Sequence, residues 1–150
     1  MIAVIQRVSE AKVSSNGEIK GQIGIGFLVL LGILRSDTED DLDWIAKKII
    51  GMRIFSDGEG KMNLDLAAVN GNILLISQFT LYSSTKKGNR PSFLDAARPE
   101  TAIPLYDKMI ARLSKEMGKN IESGIFGADM KVALVNDGPV TIILDSKNKV

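Results

Sequence analysis

Gly26-Phe27-Leu28-Val29-Leu30-Leu31-Gly32-Ile33-Leu34 is the longest apolar stretch of this 150-residue chain, and its reading sets the fold class. It is about half the length needed to span a bilayer. Phe27–Leu31 is apolar at every position, as a central strand covered on both faces must be. Asn72–Gln78, rich in Ile and Leu, reads as a second buried strand.

Outward from Phe27, Gly21, Gly24 and Gly26 allow a sharp bend or bulge, preceded by a strand over Glu18–Ile23. Asn16-Gly17 is a hairpin-turn signal, and Met1–Val8 with Ala11–Val13 reads as the opening strand. Downstream, Ser36 or Asp37 caps a helix whose first turn carries Glu39, Asp40 and Asp41. Leu42, Ile45, Ala46, Ile49 and Ile50 share one face of it, and Lys47 and Lys48 lie near its end. Met52–Phe55 reads as a short strand and residues 56–60 as a turn. Tyr82–Pro91 is a polar surface loop. Pro99 starts a second helix, with Tyr106, Met109, Ile110, Leu113 and Met117 on one face and Gly118 at its end. Asn120–Ser123, Met130–Val135 and Val140–Leu144 read as strands, and residues 146–150 as a short flexible tail. The expectation is a single α/β domain over residues 1–150, in the order βββ-α-ββ-α-βββ. Strands at both ends favour mixed or antiparallel, barrel-like β-sheet packed with two main helices over a doubly wound parallel sheet.

Composition narrows the chemistry. The chain has 19 basic and 18 acidic residues, so nucleic-acid contact must use local patches. Absence of Cys suits a reducing compartment, and Gln6 and Arg7 interrupt the N-terminal apolar run too early for a signal-peptide core. The expected location is cytoplasmic, with no membrane association. Without His or Cys a zinc site would need carboxylates alone, and a Ser-His-Asp triad is impossible. Gly24-Ile25-Gly26 lacks the third glycine of a dinucleotide fingerprint, and Gly60-Lys61 is not a phosphate loop. No metal and no cofactor is expected.

Two segments stand out where apolar runs meet polar residues: Ser77-Gln78-Phe79-Thr80-Leu81 and Asn136-Asp137-Gly138-Pro139-Val140-Thr141. Ser77 and Thr80 are most economically structural hydroxyls at a strand end, because nucleophilic attack would need a base from elsewhere. Gln78, following Ile73–Ser77, must find hydrogen-bond partners or face a cavity. Gly138-Pro139 serves either as a tight turn or as a cis step that aims its carbonyls in unusual directions. Lys86, Lys87 and Arg90 are ordinary surface charges or phosphate contacts beside Ser77–Thr80.

Taken together, these segments resemble the D-aminoacyl-tRNA deacylase family of the D-tyrosyl-tRNA type. Met1–Val8 is similar to its opening strand. Arg53-Ile54-Phe55-Ser56-Asp57 with Gly60-Lys61-Met62-Asn63 is similar to its middle segment. The two quoted segments match its signature motifs, and Arg90-Pro91-Ser92-Phe93 and Phe126-Gly127-Ala128-Asp129-Met130 also fit. The resemblance spans nearly the whole chain.

It implies hydrolysis of the ester between a D-amino acid, or glycine, and the 3′-terminal adenosine of tRNA. It also implies a homodimer with active sites at the subunit interface. Ser77, Gln78, Phe79 and Thr80 would line the scissile-ester side. Gly138 and Pro139 would reach into the partner's site as a chiral gate held by Arg7. Phe126 and Met130 would shape the adenine pocket, and Lys86 and Arg90 would contact the substrate. The alternatives are a non-catalytic RNA-binding homodimer and, last, an amidase using Thr80 with a lysine base, for which no lysine is convincingly placed.

Overall fold

The computed structural model describes residues 1–150. Its elements are β1 (Ile2–Ser15), β2 (Glu18–Ile23), β3 (Gly26–Gly32), α1 (Glu39–Ile50), β4 (Phe55–Ser56), β5 (Met62–Leu64), β6 (Asn72–Ser77), α2 (Pro99–Met117), β7 (Glu122–Ser123) and β8 (Lys131–Asp145), with a 3-10 turn at Phe79–Tyr82. β5 is not among the expected strands, although Met62-Asn63-Leu64-Asp65-Leu66 alternates apolar and polar residues as a strand does. β4 begins at Phe55, later than the expected Met52, and pairs only with β5.

β1 is the spine. Its first half pairs antiparallel with β3, its second half with β2, and nearly its whole length with β8. β2 and β3 are thus two halves of one returning strand, bent at Gly24–Gly26. Gly26 must be glycine: a Cβ there would lie 1.8 Å from the Asn72 carbonyl oxygen, where β6 starts alongside. The Asn16-Gly17 turn forms as read, with both residues at positive φ. β3 pairs parallel with β6, and β6 parallel with β7, so α1 and α2 each lie within a crossover. β2 folds back toward β7, and a Cβ at Gly21 would lie 3.0 Å from the Ser123 carbonyl oxygen. That approach nearly closes the mixed sheet into a barrel, so the fold is a mixed α/β domain with a barrel-like sheet and two helices.

The apolar run of β3 divides between two cores. Phe27, Val29 and Leu31 join Ile73, Leu75 and the helix faces. Leu28 packs with Val8, Val13, Leu74 and Ile76 inside the curved sheet, with Leu30 against them. Burial on both faces is why β3 and β6 lack polar alternation.

α1 is capped by Thr38, one or two residues later than expected, and the Asp41 carboxylate accepts the Thr38 N–H at 2.9 Å. Asp37 is diverted. It is buried and accepts from the Met1 α-amine at 2.7 Å and the Leu34 N–H at 2.8 Å. α2 has Pro99 in its first turn and Gly118 in the left-handed conformation at its end, as read; Tyr106, Met109 and Leu113 are buried, while Ile110 and Met117 sit at the margin of the core.

Further expectations are corrected: with β5 present and the last two strands merged, the order is βββ-α-βββ-α-ββ rather than βββ-α-ββ-α-βββ. The strands expected over Met130–Val135 and Val140–Leu144 are one strand, with Asp137–Val140 bulging between the pairs Val8–Asn136 and Gln6–Thr141. A Gly-Pro step is tolerated there because the bulge asks it for no ladder hydrogen bond. The segment 146–150 is not free at its start. Ser146 is buried, accepts from the Met1 amine and donates to Asp41, both at 2.7 Å, while Lys147 reaches Asp41 at 2.8 Å. No helix is long and apolar enough to cross a membrane.

Candidate active site

β6 ends at Ser77, but its pairing continues for one residue: the Gln78 N–H donates to the Leu31 carbonyl at 2.8 Å. The chain then turns through Phe79–Tyr82. This turn seats directly on Gly32, where a Cβ would lie 3.0 Å from Leu81 Cβ and 3.2 Å from the Gln78 carbonyl. The Leu81 N–H closes the turn on the Gln78 carbonyl. A 3-10 turn leaves its first N–H groups without acceptors inside the turn, so those of Phe79 and Thr80 are available to a ligand.

Beyond the C-terminal ends of the parallel strands β3 and β6 lies a cleft of about 270 Å³, the usual place for a ligand beside parallel strands. One wall is Ser77, Gln78 and Phe79; the other is Phe126, Gly127, Ala128 and Met130; Leu31, Ile33, Ile76, Ala97, Ala102 and Val132 complete it. No ionisable side chain lines it. Thr80 stands outside the lining, exposed, and its hydroxyl accepts from the Gln78 amide.

Both aromatic walls are braced from behind. Phe79 meets Phe93 edge to face, with centroids 5.1 Å apart. Phe126 packs on Tyr106 at 5.7 Å, and the Tyr106 hydroxyl donates to the Leu75 carbonyl at 2.9 Å. Burial pushes the Tyr106 hydroxyl up to about 12, so it stays neutral and acts as a brace. Met130 reaches the cleft over Gly124, where a Cβ would lie 2.5 Å from its sulfur.

The Gly138–Pro139 bond is cis, both residues are exposed, and neither lines the cleft of its own chain. Arg7, buried beneath the bulge, donates from Nε to the Asp137 carbonyl at 2.8 Å and from Nη1 to the Ile54 carbonyl at 2.6 Å. It has no carboxylate partner. The Asn136 amide ties the bulge from within, accepting from the Val140 N–H at 2.8 Å and donating to the Thr141 hydroxyl at 3.2 Å. Gly138 has φ of +143°, and a Cβ on it would meet Arg7 Nη2 at 3.1 Å. Lys86 and Arg90 stand on an exposed loop closed by the Ser84 and Ser92 pair at 2.8 and 2.9 Å, outside the cleft lining.

The structure therefore brings Ser77, Gln78 and Phe79 to Phe126 and Met130, with Thr80 hydrogen-bonded at the edge. Arg7 it brings to Gly138 and Pro139, as a separate cluster. Sequence reasoning did not find Leu31, Ala97, Ala102 or Val132 as cleft walls, nor the Ile54 carbonyl as an anchor for Arg7. An apolar pattern signals burial, not which buried side chain borders an opening, and a backbone carbonyl carries no residue signature.

A family model described as D-Tyr-tRNA(Tyr) deacylase matches residues 4–145. The chain belongs to the D-Tyr-tRNA(Tyr) deacylase family. Its relatives include proteins named D-aminoacyl-tRNA deacylase from Cytophaga hutchinsonii, 58% identical, and from Flavobacterium psychrophilum, 54% identical, each match covering 99% of both chains. A solved structure described as c-Myc DNA Unwinding Element Binding Protein is 41% identical, with a TM-score of 0.91 over 97% of this chain and 98% of its own. Another, described as a probable eukaryotic D-amino acid tRNA deacylase, is 18% identical with a TM-score of 0.81 over 95% and 97%, a likeness of fold. For this deacylase-family chain, the matched region includes the cleft, the Arg7 cluster and the bulge together.

Proposed function

We propose that the chain hydrolyses the ester joining a D-amino acid, or glycine, to the 3′-terminal adenosine of tRNA, a proofreading step of translation in the cytoplasm. The observation that carries this reading is an apolar cleft whose only polar side chains, Ser77 and Gln78, stand at a strand end in a chain of the deacylase family. Phe126 and Met130 suit an adenine face, and Ser77 to Thr80 suit the ester.

The missing acid–base side chain fits this substrate. An aminoacyl ester is already activated, so orientation and oxyanion stabilisation go far. The Phe79 and Thr80 N–H groups, left without acceptors by the turn, receive the developing oxyanion, and one such donor is worth about 2.7–4 kcal/mol. Water adds to the carbonyl carbon, the bond to the ribose oxygen breaks, and that oxygen takes the proton. The neighbouring ribose hydroxyl assists the water. Thr80 positions the substrate and forms no covalent bond to it.

Gly138 and Pro139 act on the cleft of a second copy, since they do not line their own. The homodimer is supported by the exposed apolar residues of β8, Val135 at 49% and Ile143 at 66%, on the strand that carries the bulge. Rigid carbonyls there hold the α-amine, so a D side chain points outward and an L side chain collides.

A second reading, tRNA binding without turnover, is favoured by the absence of any ionisable side chain in the cleft. The deciding experiment is hydrolysis of matched D- and L-tyrosyl-tRNA, with and without chelator. Loss of the D ester alone, unchanged by chelator, is expected. Loss of neither ester with tRNA still bound favours the second reading, and equal loss of both refutes the gate.

A further inference from the structure

The cleft has a neighbour. A second, open groove lies behind the same wall, bordered by Arg35, Phe93, Leu94, Arg98 and Glu100. The segment Ala96–Arg98 divides the two: Ala97 faces the cleft, while Ala96 and Arg98 face the groove. The aromatic pair bridges them as well, because Phe79 lines the cleft and its edge-to-face partner Phe93 lines the groove.

Charge and apolar surface concentrate on this rim. Leu94 is 82% exposed and Phe79 55% exposed. Lys86, Lys87, Arg90 and Arg98 form no ion pair; Lys12, Lys47, Lys48, Arg53, Lys115, Lys119 and Lys149 are likewise unpaired but are spread over other parts of the chain, while Lys20, Lys61, Lys108, Arg112, Lys131 and Lys147 each hold a carboxylate. Counting Arg35, the rim has five cations against Asp95 and Glu100, and Asp95 is held by Arg35 at 3.1 Å. The local excess of three positive charges stands against a net charge of +1 for the chain. Unpaired cations beside exposed aromatic and apolar faces are the chemistry that holds single-stranded nucleic acid.

We infer that this rim is a second subsite, for the single-stranded nucleotides immediately preceding the terminal adenosine. Their phosphates lie along Arg98, Arg90 and Lys86, and a base packs on Phe79 and Leu94. The inference rests on the deacylase reading for its direction. An adenosine held in the cleft through its esterified 3′ end has a single phosphodiester leading out, and this is the positively charged way out.

The test reads binding without turnover, so it fails separately from the hydrolysis assay. A fluorescent, non-aminoacylated single-stranded RNA of a few nucleotides ending in a 3′ adenosine is titrated at several salt concentrations. Arg98→Ala should raise Kd up to about five-fold, the effect of one exposed ion pair. It should also reduce the slope of log Kd against log salt by about 0.7. Adding Arg90→Ala should deepen both effects, and Arg98→Lys should restore the slope. Thermal midpoints should not change, because Arg98 contributes only its backbone carbonyl to the start of α2. A wild-type salt slope near zero overturns the inference. So does an Arg98→Ala slope equal to wild type, or an equal loss on the distant Lys119→Ala.

Discussion

Replacing Arg7 with methionine, close in shape but with no donor, tests the link between fold and gate. In the structure Arg7 Nη1 satisfies the buried Ile54 carbonyl at 2.6 Å, and Nε satisfies the partly exposed Asp137 carbonyl at 2.8 Å. Orphaning a buried carbonyl costs about 1–3 kcal/mol, and water recovers much of the second bond. Removing a buried guanidinium without a counter-ion returns part of that loss. The expected net cost is about 1–2 kcal/mol, a measurable share of a domain's stability of roughly 5–15 kcal/mol. Urea unfolding at neutral pH measures it. Lysine should recover less than half, because a single ammonium lacks the fork that spans both carbonyls. The same variant should lower the D-over-L ratio of kcat/KM about ten-fold, or roughly 1.4 kcal/mol. A stability loss below about 0.5 kcal/mol refutes the bonding argument. A large loss with unchanged selectivity refutes Arg7 as the support of the gate.

Thr80→Ala should reduce kcat by about ten- to a hundred-fold without abolishing it; trapping of an acyl-Thr80 species by mass spectrometry contradicts a positioning role. Because no ionisable side chain lines the cleft, any inflection in kcat/KM between about pH 5 and 8 should follow the substrate's α-amine. It should be the same in wild type and Thr80→Ala, and an inflection that stays put when the substrate amine changes refutes this. Burial pushes the Asp41 carboxyl up, but hydrogen bonds from Lys147, Ser146 and the Thr38 N–H outweigh it and hold it well below the usual carboxylate range. Its contribution to stability is therefore complete above the unfolded value of about 4 and is lost as pH falls through the folded value. Asp41→Asn should flatten the acid limb of unfolding free energy against pH, and an unchanged limb counts against the network. Gly26→Ala, with its Cβ 1.8 Å from the Asn72 carbonyl oxygen, should cost at least about 3 kcal/mol; a variant with wild-type urea midpoint contradicts the observed junction of β3 and β6.

The sequence alone determined what acts over a few residues. The unbroken apolar runs of Phe27–Leu31 and Ile73–Ile76 marked strands covered on both faces. Asn16-Gly17, Pro99 and Gly118 set a turn and the ends of a helix through their own backbone preferences. The motifs around Ser77 and Gly138 were visible as polar interruptions, and with the family resemblance they named the chemistry. Tertiary structure decided what depends on partners far along the chain. Asp37 looked like a cap for α1, but the Met1 amine claimed its carboxylate and left capping to Thr38. Ser146 looked like part of a tail until the same network buried it. The strand Lys131–Asp145 runs unbroken past a Gly-Pro step because β1 supplies a register shift opposite it. That Ser77 and Gln78 meet Phe126 and Met130 while Arg7 meets Gly138 follows from barrel closure. Backbone carbonyls and close approach enforce that closure, and neither leaves a periodic trace in the sequence.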